Sequence, residues 1–355
     1  MTGPRSHGRG LARRTRTAVA PIAVLALAAT ALAGCASSGK SASAAGKVYT
    51  IKLIDANSTT TPQVQSDNTF KQLVEKSSGG RIKVTVYPNG VVASADKEVE
   101  DVGNGVAQMT NNSIVPLAQY TPAYNFLQLP MIFSSQDQMT KGFASSAAQT
   151  VDQQFQQKSG IKVLAWQSSG WVQFANSSHP ITTPADMSGL KFRIIPGSAP
   201  LQSTLALLGA ETVPLAENDA YTAEQNGTIN GNENPPTVLA GNKEDEVLKY
   251  LTVLNYQNNP NAILINAKFF DSLPSDLQKD VEDAAAQAAS QEIQALTQAT
   301  TSSISTMEQA GVKVTTLTQA QRQAFIDAIK PYLTKALATY DPALVSAFGV
   351  SPGSL

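Results

Sequence analysis

Short β-branched segments alternate with helical segments along this chain, and that alternation limits its possible folds more than any other feature. Residues 48–53 and 82–87 have the composition of strands, and apolar and polar side chains alternate in the second segment. Helical spacing of apolar residues occurs around 70–74 and near 95–104. The order strand, helix, strand, helix predicts an α/β fold built around a mostly parallel sheet.

A second α/β block follows the first. Strands are predicted at 161–165, 171–176 and 190–195, and helices at 201–208 and 219–226. The two blocks meet near 166–170. About 320 residues follow Cys35, which is more than a single hydrophobic core usually organises, so two domains are expected.

One long segment near the C-terminus is almost free of helix breakers. Ser275, with Gln278 three residues later, fits a capping box at a helix start, and Ala, Gln and Glu then continue to about Gln309. A coiled coil is the alternative, but the apolar positions do not hold a heptad. We therefore expect a helix of about 30 residues that crosses both domains.

The N-terminal 35 residues have the features of an export signal. Five arginines and no acidic residue precede an uncharged run at 18–33, and Leu-Ala-Gly then leads to Cys35, the only cysteine. This ending resembles a lipobox, which predicts that 1–35 is a lipoprotein signal peptide and that Cys35 carries the lipid. The alternative is an ordinary signal peptide with a coincidental cysteine. Residues 36–46, rich in Ser, Ala and Gly, are predicted to form a flexible tether outside the cell membrane.

Composition excludes several classes of function. The full chain has a formal net charge of −1, and removal of five arginines leaves about −6, which argues against nucleic acid as a partner. No cysteine follows Cys35, and His179 is the only histidine in that part, so we predict neither a metal site nor a cofactor. No later segment is apolar enough to suggest a membrane-spanning helix.

Arginine is scarce after Cys35. Arg81 and Arg322 lie in polar surroundings and are interpreted as surface charges, whereas Arg193 lies at the carboxyl end of the apolar strand 190–195. Ligands of open α/β sheets bind outside the carboxyl ends of strands, and a fixed guanidinium can grip a carboxylate there. The alternative is a structural ion pair, and position alone does not decide between the two.

Three polar segments supply further candidates for ligand contacts. The run 229–236 combines amides with one acid, including Glu233 and Asn234, and amides can orient a polar ligand. A plain surface loop is the alternative interpretation of this run. Asn57 and Asn112 lie in polar stretches that are predicted to be loops at the carboxyl ends of strands, and they can equally be turn residues.

Several motifs together resemble a known family. They include Pro-Ile-Thr-Thr-Pro-Ala-Asp-Met-Ser-Gly-Leu-Lys-Phe-Arg, which ends at Arg193, and Asn-Gly-Asn-Glu-Asn-Pro at 230–235. This combination resembles the solute-binding proteins of tripartite ATP-independent periplasmic (TRAP) transporters, of the C4-dicarboxylate-binding type. The resemblance covers about 48–335. Other matching segments lie at 70–90, 127–133, 208–210, 213–215, 221–223 and 273–278.

The resemblance implies a two-lobed, periplasmic-binding-protein-like (type II) receptor that closes on a small organic acid, delivers it to membrane permease subunits and performs no chemistry. It implies that Arg193 binds the ligand carboxylate and that Asn234 supports the site. We expect a monomer. The alternatives are an exported carbohydrate-active hydrolase and a ligand-sensing lipoprotein of the same fold. The expected lobes are 47–169 with about 257–298, and 170–256 with about 299–355.

Two positions depart from the family pattern. Val172 stands where many relatives have a second ligand arginine, and Glu217 stands where an aromatic residue is common. Losing a cation and gaining an acid makes a doubly charged ligand costly to hold. We therefore expect a monocarboxylate ligand whose uncharged part contacts Trp171 or Glu217.

Overall fold

A computed structural model describes residues 47–351. The predicted signal peptide, Cys35 and the tether lie outside these residues. Within them, no helix has both the length and the hydropathy that crossing a bilayer requires. The strands are β1 (Tyr49–Ile54), β2 (Ile82–Tyr87), β3 (Met109–Ser113), β4 (Ile161–Asn176), β5 (Lys191–Ile194), β6 (Glu211–Pro214), β7 (Gly231–Asn234), β8 (Tyr250–Asn266) and β9 (Lys313–Thr316).

The helices connect these strands in the predicted α/β rhythm. They are α1 (Pro62–Ser77), α2 (Ala95–Gly103), α3 (Ile114–Ala118), α4 (Gln136–Phe143), α5 (Ser146–Ser159), α6 (Ala199–Leu207), α7 (Ala220–Gln225), α8 (Pro236–Gly241), α9 (Ala267–Asp271), α10 (Ser275–Gln309), α11 (Gln319–Leu337) and α12 (Pro342–Ala347). The α/β class predicted from the sequence is confirmed.

The sheet is mixed, whereas a mostly parallel one was expected. Strands follow the order β2-β1-β3-β8-β4-β7-β5-β6, and β9 pairs with β8. The pairs β1–β2 and β1–β3 are parallel, and so are β5–β6 and β5–β7. The pairs β3–β8, β4–β7 and β4–β8 are antiparallel. We call the part around β1, β2 and β3 the first lobe and the part around β5, β6, β7 and β9 the second lobe.

Strands β4 and β8 run through both lobes. The sequence predicted two strands where the structure has the single strand β4 of 16 residues. Its pairing with β8 shifts register between Ser168 and Trp171, and Gly170 adopts a φ of 104° there. The expected meeting point of the two blocks is thus an irregular section inside one strand, because its backbone still pairs on both sides of the shift.

Helix α10 has 35 residues and crosses both lobes, as predicted. Its early residue Leu277 packs against the core of the first lobe, and Met307, near its end, packs against Leu251 in the second. The predicted capping box is wrong. Pro274 precedes the helix, and the Gln278 amide donates to carbonyl oxygens of the preceding turn, at Phe270 and Leu273.

Candidate functional site

A small space, which we call the inner cavity, lies between the lobes and has a volume of about 40 Å³. It brings together five residues singled out in the sequence: Arg193, Asn234 and Glu217 from the second lobe, and Asn57 and Asn112 from the first. The cavity therefore has walls from segments that are distant in the chain. The other lining residues are Ala56, Ala95, Ser113, Ser169, Ile195, Val238, Asn259 and Asn261.

Strand β5 fixes Arg193 in the wall of this cavity. The residue is 1% exposed, and its Nε donates to the carbonyl oxygen of Leu215 at 3.0 Å. Its Nη1 lies 2.7 Å from Oε2 of Glu217. This contact is an ion pair without the alignment of a hydrogen bond, and Nη1 donates to no described residue. Part of the guanidinium's donor capacity is therefore available at the cavity.

Glu217 is held on both carboxylate oxygens. It begins a short 3₁₀ turn, Glu217–Asp219, that follows β6. While Oε2 faces Arg193, Oε1 accepts from the side-chain amides of Asn234 at 3.1 Å and Asn242 at 3.0 Å. The side chain is 11% exposed. Residues from three separate segments thus converge on one carboxylate.

The polar run that contains Asn234 is not a surface loop. Residues Gly231–Asn234 form the buried strand β7, which pairs with β5 on one side and β4 on the other. Two buried acids accept from one of its amides: Asn232 Nδ2 donates to Glu224 at 3.0 Å and to Glu244 at 2.7 Å, while Oδ1 of Asn232 has no partner among the described residues. Glu224 precedes β7 in the chain and Glu244 follows it. Because these partners lie outside the polar run, the run by itself favoured a turn.

Glu233 and Trp171 do not line the inner cavity. Successive side chains of a strand point to opposite faces of the sheet, so Glu233 projects from the other face of β7 than Asn234. Glu233 pairs in register with Phe174. Burial raises the pKa of Glu233 to about 8. Trp171 is half-buried and packs against the same aromatic core as Phe174. The structure therefore places these two predicted contacts behind the cavity wall.

Two further acids lie close to Arg193. Burial is the main cause that raises the pKa of Glu224, to about 7, and the pKa of Glu244 well above its ordinary value. Their mutual proximity raises the pKa of Glu244 further, while the positive charge of Arg193 acts in the opposite direction on both. Arg193 therefore lies close to two carboxyl groups, those of Glu224 and Glu244, whose raised pKa values disfavour their ionised forms.

Buried carboxyl groups of the first lobe orient the two amides of the opposite wall. Asp55 accepts from the Asn57 backbone at 2.7 Å and from its Nδ2 at 2.9 Å. Glu98 accepts from the Asn112 Nδ2 at 2.8 Å. Since Nδ2 of Asn57 donates to Asp55, its Oδ1 is the atom free to accept from a ligand. Burial raises the pKa of Asp55 to about 6 and that of Glu98 well above its ordinary value.

These supporting acids were not among the residues predicted from the sequence, and the predicted loop position of Asn112 is wrong. Asn112 belongs to β3, not to a loop after a strand, because the buried partner Glu98 and the carbonyl of Ala95 satisfy its amide inside the fold. A signal for Glu98 was present: it shares a helical face with Val99 and Val102, which are both buried. Asp55 directly follows the first strand.

A larger space, which we call the outer cavity, adjoins the inner one. Its volume is about 290 Å³, and Ala56 and Glu217 line both cavities. The remaining wall consists of Ser58, Asn89, Asn218, Tyr221, Gly241, Asn242, Lys243 and Glu244. The lobes touch here, since the Ser58 hydroxyl donates to the Gly241 carbonyl at 3.0 Å. Among the described residues, no cluster of acids or histidines has an arrangement that would hold a metal ion.

Known proteins of similar sequence and structure agree with this architecture. A solute-binding protein of Verminephrobacter eiseniae is 32% identical over 222 residues, which are 62% of this chain and 66% of that protein, just under two thirds of its length. The C4-dicarboxylate-binding periplasmic protein of Rhodobacter capsulatus is 32% identical over 64% of this chain and 68% of its own.

Solved structures show the same fold. The sugar acid binding protein of Advenella mimigardefordensis, in complex with galactonate, superposes with a TM-score of 0.81 at 24% identity, over 85% of this chain and 97% of that one. A TRAP periplasmic solute binding protein of Ochrobactrum anthropi, 30% identical, gives a TM-score of 0.75 over 85% and 94%. The model of bacterial extracellular solute-binding protein family 7 matches residues 55–339. The chain belongs to that family.

Proposed function

We propose that this protein is the extracytoplasmic receptor of a TRAP transporter, and that it captures a small organic acid and passes it to membrane permease subunits. The observation that carries the proposal is a buried, fixed guanidinium, Arg193, in the wall of a cavity between two lobes. Membership of a solute-binding family favours binding without chemistry, which disfavours the hydrolase alternative. A sensing role would use the same ligand site.

In this proposal Arg193 and Asn234 bind the ligand carboxylate, and we call this pair the carboxylate clamp. Asn57 and the other amides that line the inner cavity bind the rest of the ligand. Amide and hydroxyl groups dominate the wall opposite Arg193, which suits a ligand rich in hydroxyls. Arg193 is the one arginine or lysine among the residues that line the inner cavity, so a single carboxylate is the charge that the cavity can balance.

We further propose that Cys35 anchors the receptor to the outer face of the cell membrane and that residues 36–46 act as its tether. The support is the basic head, the short uncharged run and the Leu-Ala-Gly-Cys ending in the sequence. Anchoring would keep the receptor concentrated near its permease. Labelling with a radioactive fatty acid should mark the wild type but not Cys35→Ser.

Thermal-shift measurements test the capture of an organic acid. D-Galactonate, D-galacturonate, D-erythronate and succinate are suitable probes, and a ligand at a hundred times its Kd should stabilise the protein by about 2.7 kcal/mol. Arg193→Ala should abolish this stabilisation. Arg81→Ala is the matched control, because Arg81 forms an exposed ion pair with Asp276 far from the cavity. Unchanged binding by Arg193→Ala would exclude the clamp, and conversion of a probe would exclude a pure receptor.

A further inference from the structure

We propose that Glu217 is an internal occupant of the carboxylate clamp, and that a ligand carboxylate must displace it to bind. This inference rests on the function proposed above. Glu217 presents its Oε2 to Arg193 at 2.7 Å and its Oε1 to Asn234 at 3.1 Å. These are the two side chains assigned to the ligand carboxylate. The chain's own acid therefore fills the place that the ligand needs.

The cavity volumes support displacement. With Glu217 in place, the inner cavity of about 40 Å³ is far smaller than the roughly 300 Å³ at which small-molecule sites begin. Glu217 lies in the walls of both the inner cavity and the outer one, whose volume is about 290 Å³. Rotation of this one side chain would join the two spaces into a site of sufficient size.

The contacts of Glu217 also favour exchange over permanent pairing. Its ion pair with Arg193 uses one guanidinium nitrogen and lacks hydrogen-bond alignment, whereas a free carboxylate can form two parallel hydrogen bonds. The outer cavity offers a place for the displaced acid, since Asn242 already donates to it and the exposed Lys243 lines the same space. Glu217 can therefore move without losing every partner.

Displacement has a consequence for the class of ligand. One carboxylate replaces another beside Arg193, so the charge balance of the buried site is conserved. A second ligand carboxylate would meet the displaced Glu217, which also lines the outer cavity. The ligand class is therefore acids with a single carboxylate and a neutral, hydrogen-bonding remainder.

The first test is Glu217→Gln, which preserves the shape of the side chain but removes its charge. If the clamp is free of Glu217 in at most about a tenth of the molecules, this variant should bind D-galactonate about tenfold or more tightly than the wild type. Isothermal titration calorimetry gives both Kd values. Equal or weaker binding by Glu217→Gln would overturn the displacement.

The second test needs no knowledge of the natural ligand. Glu217→Ala vacates the clamp, and propionate, which carries the missing carboxylate, should raise the Tm of this variant in a saturable manner. The wild type should show no such rise, because Glu217 fills the clamp. The double variant Arg193→Ala/Glu217→Ala should show none because the cation is lost. Absence of rescue in Glu217→Ala would overturn the occupancy.

The two tests separate this inference from the proposed function. Rescue of Glu217→Ala by propionate, with no binding of any sugar acid or succinate by either the wild type or Glu217→Gln, would support the internal carboxylate and count against organic-acid capture. Binding of D-galactonate by the wild type without propionate rescue would support capture and overturn the role of Glu217.

Discussion

Individual residues at the site are fixed by contacts on the side that faces away from the cavity. Gly231 shows this most directly, because a Cβ placed on it would lie 2.8 Å from the ring of Phe192. The ring of Phe192 in turn packs edge-on against Phe174, at 5.3 Å between ring centres. A glycine at this position lets β7 sit close to β5, which brings Asn234 to the side of Arg193.

We therefore predict that Gly231→Ala destabilises the protein by about 1–3 kcal/mol, because the added methyl group overpacks the core against Phe192. Urea denaturation measures the change in free energy of unfolding. In the double variant Phe192→Leu/Gly231→Ala, the smaller side chain should make room, so the two changes should cost less together than their separate sum. Strict additivity would show that the steric account is incorrect.

At the scale of elements, α10 carries a buried acid where it passes the irregular section of β4. Glu292 is 6% exposed, and neither carboxylate oxygen forms a well-aligned hydrogen bond with a described residue. Burial raises the pKa of Glu292 to about 8, although the nearby backbone N–H of Ser168 offsets part of this effect. Helical spacing places Glu292 on the face of Ala288 and Leu296, so a sequence signal for its burial existed.

This acid should make stability depend on pH. Folding raises the pKa of Glu292 above the ordinary 4.5, so the folded state holds the proton more tightly than the unfolded state does. The contribution of Glu292 to the free energy of unfolding is therefore fully present below about pH 4.5 and is lost as the pH rises towards 8. Glu292→Gln should remove that loss and raise the Tm at pH 8 by more than at pH 4.5. Differential scanning calorimetry at both values measures it. Glu308→Gln, exposed on the same helix, is the control and should follow the wild type.

At the largest scale, the two lobes of the described part of the chain meet across the cleft. Besides the Ser58–Gly241 hydrogen bond, the Asn218 amide reaches the Asn89 carbonyl at 3.5 Å. Contacts of this polar kind are compatible with an equilibrium between open and closed forms, as a receptor that encloses its ligand requires. The irregular section of β4 around Gly170 lies between the lobes and is the natural place for bending.

A disulfide across the cleft tests whether the lobes must separate to admit a ligand. A Cβ at position 241 would lie 3.3 Å from the Ser58 hydroxyl oxygen, so Ser58→Cys with Gly241→Cys brings the two sulfur atoms within bonding reach. In a Cys35→Ser background, the oxidised protein should bind D-galactonate far more slowly than the reduced protein in stopped-flow measurements. Ser58→Cys alone should be insensitive to reductant. Equal rates in both redox states would argue against opening.

The sequence by itself determined the features that depend on local spacing. Alternation of apolar residues set the α/β class, the absence of breakers set α10, and an apolar strand placed Arg193 at its carboxyl end. Local spacing failed where buried partners came from elsewhere. The polar run 231–234 is a strand and Asn112 belongs to β3, because carboxyl groups from other segments accept hydrogen bonds from their side-chain amides.

Only the tertiary structure decided how the two walls of the cavity combine. It brought Asn57 and Asn112 opposite Arg193, turned Glu233 towards the aromatic core, and placed Glu217 on the clamp. The physical reason is that side-chain spacing fixes the conformation of a segment, whereas a cavity depends on the pairing of strands far apart in the chain. That pairing is decided by burial and hydrogen bonding summed over the whole molecule.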